Sequence, residues 1–109
     1  MLNIEESPAR LFAALGDATR LGLIKRLSNG TEQSIAQLGE DLPISRQAVA
    51  KHLEVLQGVG LVRRTRRGRE VLFVLEPETV AQARHWLTQV SAQWDDALGR
   101  LKMFVESQP

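Results

Sequence analysis

Apolar positions recur along the chain in short helical groups, each bounded by residues that start or stop a helix. Leu11, Phe12 and Leu15 form the first group. Leu23, Ile24 and Leu27 form the second, and Ile35, Leu38 and Leu42 the third. Val49, Leu53 and Leu56 follow at spacings of four and three, which places them on one face at the 3.6-residue helical period. The punctuation agrees with these groups. Ser7-Pro8 reads as an N-cap followed by proline at the first helical position. Gly16 stops the first helix, Asp17 caps the second, and Asn29-Gly30 ends it. Ser34 and Ser45 are N-caps for the third and fourth helices, and Gly58 and Gly60 close the fourth. Gly22 lies inside the second helix at a cost of about 1 kcal/mol relative to alanine, and a close helix crossing is the expected reason for it.

The pattern then changes. Leu61-Val62 and Val71-Leu72-Phe73-Val74-Leu75 flank an arginine-rich segment with Arg67-Gly68 at its middle, the pattern of a β-hairpin whose glycine supplies the turn. A last helix starts at Glu76-Pro77-Glu78, with proline at or near the first position and acidic residues suited to the helix dipole. Val80, Leu87, Trp94 and Leu101 recur every seven residues, and Ala83, Val90, Ala97 and Phe104 form a second series of the same period. Two interleaved series of this kind describe a coiled-coil-like seam. Such a helix exceeds about 40 Å at about 1.5 Å per residue, more than a domain of this size covers. The surplus stripe calls for a partner, most simply a second copy of the same helix.

Composition refines this outline. A length of 109 residues supports one domain spanning 1–109, and a chain this short buries little more than about 60% of its unfolded surface. Fourteen basic and thirteen acidic residues leave a net charge of +1, so charge is sorted by region. Five of the basic residues, Arg63, Arg64, Arg66, Arg67 and Arg69, crowd into the hairpin. So dense a cluster repels itself unless an anion offsets it, and the DNA backbone is the obvious anion. With no cysteine in the chain, disulfides and thiolate metal sites are excluded. The opening residues 1–6 lack the basic start and apolar run of a signal peptide, and no stretch has the length of a membrane span, so a cytoplasmic protein is expected.

The outward face of the fourth helix carries Gln47, Lys51 and Glu54, flanked by Arg46 and Ala50. It is polar, mostly uncharged or cationic, and sterically modest, as a face that approaches base edges must be. Preceded by a short helix and the tight Leu42-Pro43-Ile44 turn, it forms a helix-turn-helix arrangement. Leu15-Gly16-Asp17-Ala18-Thr19-Arg20-Leu21, Ser45-Arg46-Gln47-Ala48-Val49-Ala50-Lys51-His52-Leu53, Gly60-Leu61-Val62 and Arg66-Arg67-Gly68-Arg69 together resemble the ArsR/SmtB family of bacterial winged-helix repressors over nearly the whole chain. The resemblance implies a mainly α fold with a small β-hairpin wing: a winged helix-turn-helix of five helices that forms a homodimer through its first and last helices. The recognition helix is expected at about 45–57, the wing at about 61–75 and the dimerisation helix at about 77–105. It further implies a repressor of transcription on a palindromic operator that lets go when an effector is bound; a small molecule is a candidate effector, and the sequence identifies none.

Candidate DNA contacts are Ser45, Arg46, Gln47, Ala50, Lys51 and His52 of the recognition helix and Arg66, Arg67 and Arg69 of the wing. His52 has a competing role in packing under the wing. Candidate dimer contacts are Leu11, Phe12, Leu87, Val90, Trp94 and Leu101. Two residues depart from the family pattern. Ala50 stands where many members carry serine, which shifts base contact onto Arg46, Gln47 and Lys51, and Phe73 stands where tyrosine is common. The paired-cysteine and Asp/His/Glu sets of metal-sensing relatives do not carry over. The last helix offers His85, with Asp95 and Asp96 ten residues beyond it, too few convergent ligands for a transition metal from one chain. No metal, cofactor or catalytic residue is therefore expected, and two distant histidines without a Ser-His-Asp order or a phosphate-cradling loop argue against an enzyme. The competing non-enzymatic reading is a winged-helix module whose arginines meet an acidic protein.

Overall fold

In a computed structural model, residues 8–107 are described; the expected Ser7 cap lies outside them. The elements run α1 (Pro8–Leu15), α2 (Ala18–Leu27), α3 (Ile35–Leu38), α4 (Arg46–Gly58), β1 (Val62–Arg67), β2 (Glu70–Leu75) and α5 (Pro77–Glu106). Short, capped helices followed by a hairpin are what the apolar groups and stop signals encode.

The caps are formed by the residues that the chain offers for them. Asp17 accepts from the Arg20 amide at 3.1 Å. Ser34 and Gln37 make a reciprocal capping box on α3, with bonds of 3.2 Å and 2.8 Å. At the far end of α4, the Leu61 amide donates to the Leu56 carbonyl and the Gly60 amide to that of Gln57, with Gly60 at φ 77°. This is a Schellman closure, and Leu56 and Leu61, both buried, supply its apolar contact. Glycine is required there because a side chain at that φ is strained. Between α3 and α4 the chain reverses at Asp41, φ 66°, the single non-glycine residue with positive φ among those described. Gly22 is different. It is exposed, and an added Cβ would meet nothing within 4 Å, so the expected close crossing is absent from the protomer.

Strands β1 and β2 pair antiparallel from Val62↔Leu75 to Arg67↔Glu70, leaving Gly68-Arg69 as the loop. Gly68 takes φ 61° while Arg69 stays in the ordinary region, the signature of a two-residue hairpin of type II′. Gln33 adds a bridge to Phe73 through bonds of 2.9 Å and 2.8 Å, which ties the α2–α3 connection to the hairpin.

The core lies among α1 to α4 and the base of the hairpin. Leu23, Leu27, Leu38, Val49, Leu53 and Leu56 are fully buried, with Leu11, Leu61, Val62 and Phe73 around them. Of α5, only Thr79 and Ala83 are buried, and Trp86 meets Phe12 in a tilted contact with ring centroids 5.1 Å apart. The rest of this 30-residue helix leaves the body. The molecule accordingly measures 71 × 29 × 22 Å, and its radius of gyration of 18.5 Å exceeds the roughly 13 Å of a compact chain of this length.

Candidate nucleic-acid interface

Helix α4 is held by its apolar face and caps, which fixes what its other face presents. Val49, Leu53 and Leu56 are buried, while Arg46, Gln47, Lys51 and Glu54 are exposed. Ala50 is half-buried between these two faces. The Ser45 hydroxyl accepts from the Ala48 amide at 3.1 Å, so its structural work is the cap.

His52 stands on the α2 side of this helix. Its Nδ1 lies 3.2 Å from the Arg20 guanidinium, and Arg20 also donates through Nε to the Ala14 carbonyl. The ring therefore takes part in the contact among α1, α2 and α4, in keeping with the packing role weighed against a DNA contact. The same corner holds Asp17. A hydrogen bond from the Arg20 backbone amide, helped by the Arg20 charge and opposed by partial burial, keeps its carboxyl below the usual aspartate value.

The wing sorts its arginines by strand periodicity. Arg63 and Arg67 share one face of β1, and Arg64 and Arg66 share the other. On the first face, Arg63 pairs with Glu76 at 2.8 Å and Arg67 with Glu32 at 2.9 Å. Among the described residues, Arg64, Arg66 and the tip residue Arg69 have no acidic partner. Arg66 instead donates to the Gly68 carbonyl at 3.3 Å, bracing the turn. Part of the expected self-repulsion is thus offset within the protein. The expected set Arg66, Arg67 and Arg69 spans both sides of this division, and Arg64 shares the unpaired face with Arg66. The alternation of Arg63, Thr65 and Arg67 against Arg64 and Arg66 was the available signal, with Glu32 as its distant counterpart.

The expected dimer residues separate too. Leu11 is 2% exposed and belongs to the protomer core, so its placement at a dimer contact is corrected. Phe12 is half-buried under Trp86, and Val90 is half-buried. Leu87, Trp94 and Leu101 are exposed at 52%, 63% and 58%, and Leu98 and Phe104 lie open beside them. His85, Asp95 and Asp96 are exposed on α5, with His85 about 15 Å along its axis from the adjacent aspartates. Among the described residues no three His, Asp or Glu side chains converge, so the donor set of metal-sensing relatives is not met within one protomer. No described helix is long and apolar enough to cross a membrane.

A family profile for a helix-turn-helix domain matches residues 15–65, from the end of α1 into β1. The chain is 34% identical to an HTH-type transcriptional regulator of Mycobacterium tuberculosis, over 94% of its own length and 92% of the relative's. It is 34% identical to the arsenical resistance operon repressor of Escherichia coli, over 70% of this chain and 65% of that one. The solved structure of an ArsR-like transcriptional regulator from Rhodococcus sp. RHA1 superposes with a TM-score of 0.76 at 39% identity, covering 92% of this chain and 93% of the other. Capped recognition helix, arginine wing and full-length similarity agree: the chain belongs to the ArsR family of winged helix-turn-helix transcriptional regulators.

Proposed function

We propose that the protein is a homodimeric repressor that binds a palindromic operator in the cytoplasm. Gln47 and Lys51 read base edges in the major groove, and Arg46 lies near the backbone beside them. Arg64, Arg66 and Arg69 of the wing meet phosphates or the adjacent minor groove, and Arg67 joins them when its bond to Glu32 is exchanged for a phosphate. Two copies join along the open stripe of Leu87, Trp94, Leu98 and Leu101, with Phe12 and Val90 at its margin. The two recognition helices then sit about one DNA turn, or roughly 34 Å, apart.

The observation that carries this reading is the wing's unpaired arginine face beside a helix whose first turns expose Arg46, Gln47 and Lys51. Phosphates offset such charges and release counterions, a gain that depends on salt. The test is fluorescence anisotropy against the protein's own upstream DNA and a scrambled duplex, at two salt concentrations. Tight binding to the upstream DNA, at least a thousandfold above the scrambled duplex, is expected on the scale of specific recognition. Weak and equal binding to both would overturn it and favour an acidic protein as the wing's partner.

A further inference from the structure

A groove of about 680 Å³ opens between the end of α2, strand β2 and the first three turns of α5, and no residue of α4 lines it. Its volume falls within the roughly 300–1,000 Å³ of small-molecule sites. Val74, Leu75, Val80 and Ala81 supply an apolar wall. Arg84 and His85 stand on the α5 side, where neither has an acidic partner among the described residues. Arg63 lies at the opposite margin, its Nε already engaged by Glu76 at 2.8 Å. An apolar wall with an uncompensated guanidinium and an imidazole at one edge is complementary to a molecule with an apolar body and one carboxylate. The stripe available to a second α5 begins at Val80, which it shares with the groove, and runs on through Leu87 to Leu101, so the partner helix borders the groove on this side.

We propose that this groove binds an amphipathic organic carboxylate, its carboxylate on Arg84 and His85 and its apolar body against Val74, Leu75, Val80 and Ala81. The groove also joins the two parts that a regulator must coordinate. Val74 pairs with Arg63 in the wing, and the Glu76 amide donates to the Leu61 carbonyl at 2.9 Å where the hairpin hands over to α5. An occupant wedged there changes the angle between the wing and α5, and so the fit of a dimer to its operator. That coupling rests on the repressor reading; occupancy of the groove does not.

The probes are 2-naphthoate and its neutral analogue 2-naphthamide, titrated by calorimetry into the full chain without DNA. Naphthoate is expected to bind, and at least tenfold more tightly than naphthamide. The double variant R84Q/H85Q should lose that preference while keeping the weak amide affinity. A81W, at an exposed helix position, should abolish binding of both by filling the groove, with the circular dichroism spectrum unchanged. Absence of naphthoate binding would overturn the site. So would binding that neither variant alters, because the probe then lies on the open α5 stripe, and so would binding confined to monomer, because a second copy then covers the groove. In a parallel anisotropy titration, naphthoate should weaken DNA binding of the parent protein and leave A81W unaffected. Loss of DNA binding by all proteins without probe would instead count against the repressor reading alone.

Discussion

The α4 and wing unit and the distal half of α5 carry similar apolar content and come to opposite ends. In α4, Val49, Leu53 and Leu56 are at 0% exposure, and in α5, Trp94, Leu98, Leu101 and Phe104 lie between 54% and 63%. Periodicity is equally clear in both, so the difference is in what each face meets. Helix α4 is surrounded by α1, α2, α3 and β1, whereas α5 turns away after Trp86. An amphipathic pattern announces that a face will be buried; it does not say whether the cover belongs to the same chain. A contiguous open stripe of this extent is characteristic of an interaction surface.

Paired substitutions should separate the two regions most strongly. Leu53→Ala removes fully buried atoms and is expected to cost about 2–5 kcal/mol of folding stability, read by urea unfolding. Trp94→Asp should leave secondary structure intact but weaken the dimer by more than about a hundredfold, because a charge enters an apolar seam. Analytical ultracentrifugation decides it. A Trp94→Asp protein that sediments as an intact dimer would show that the α5 stripe is not the seam.

Within the first region, the recognition helix and the wing should fail differently. Gln47→Ala is expected to cost about 1–3 kcal/mol on the operator and little on random DNA, since base contacts carry sequence. Arg69→Ala should weaken both and reduce the salt slope by about one. Equal losses on operator and random duplex for both variants would remove the division of roles. Ser45→Ala is expected to cost about 1 kcal/mol in thermal unfolding through the lost cap on the Ala48 amide.

These contrasts also mark how far the sequence could be read. Caps, helices and hairpin were legible because their signals are local: Ser34, Ser45, Gly60 and Gly68 act on groups within a few residues of themselves. What escaped depends on contacts across the chain. Leu11 and Phe12 look alike by periodicity, yet one is in the core and the other lies under Trp86, 74 positions away. His52 pairs with Arg20, and Arg67 with Glu32, across separations of 32 and 35 residues that no spacing rule anticipates. Gly22, exposed and uncrowded, has no structural account within the protomer.

The α1–α2–α4 corner adds a pH dependence. The Asp17 carboxyl is held below its usual value by the Arg20 amide, so its folded pKa is lower than its unfolded one. Its contribution is therefore complete above the unfolded aspartate value and is lost as pH falls through the lowered folded value. Compared by urea unfolding, the parent protein should lose more stability than Asp17→Asn across that acidic window. Parallel profiles would show that the cap carries no linkage.

The smallest expected effect divides the wing itself. Glu32 holds Arg67 at 2.9 Å, but its second carboxylate oxygen is buried with no hydrogen-bond partner. Half of this carboxylate is thus poorly compensated, and the pair's other member is exposed, so Glu32→Gln should change stability by less than about 1 kcal/mol. Its effect on DNA should have the opposite sign to that of an arginine deletion, because Arg67 is released from a competing anion. Random-duplex affinity should rise a few-fold, with a salt slope steeper by up to about one. Combining Glu32→Gln with Arg67→Ala should cancel the gain. A rise that persists without Arg67 would assign it to the general loss of negative charge, and the paired and unpaired faces of the wing would then be equivalent toward DNA.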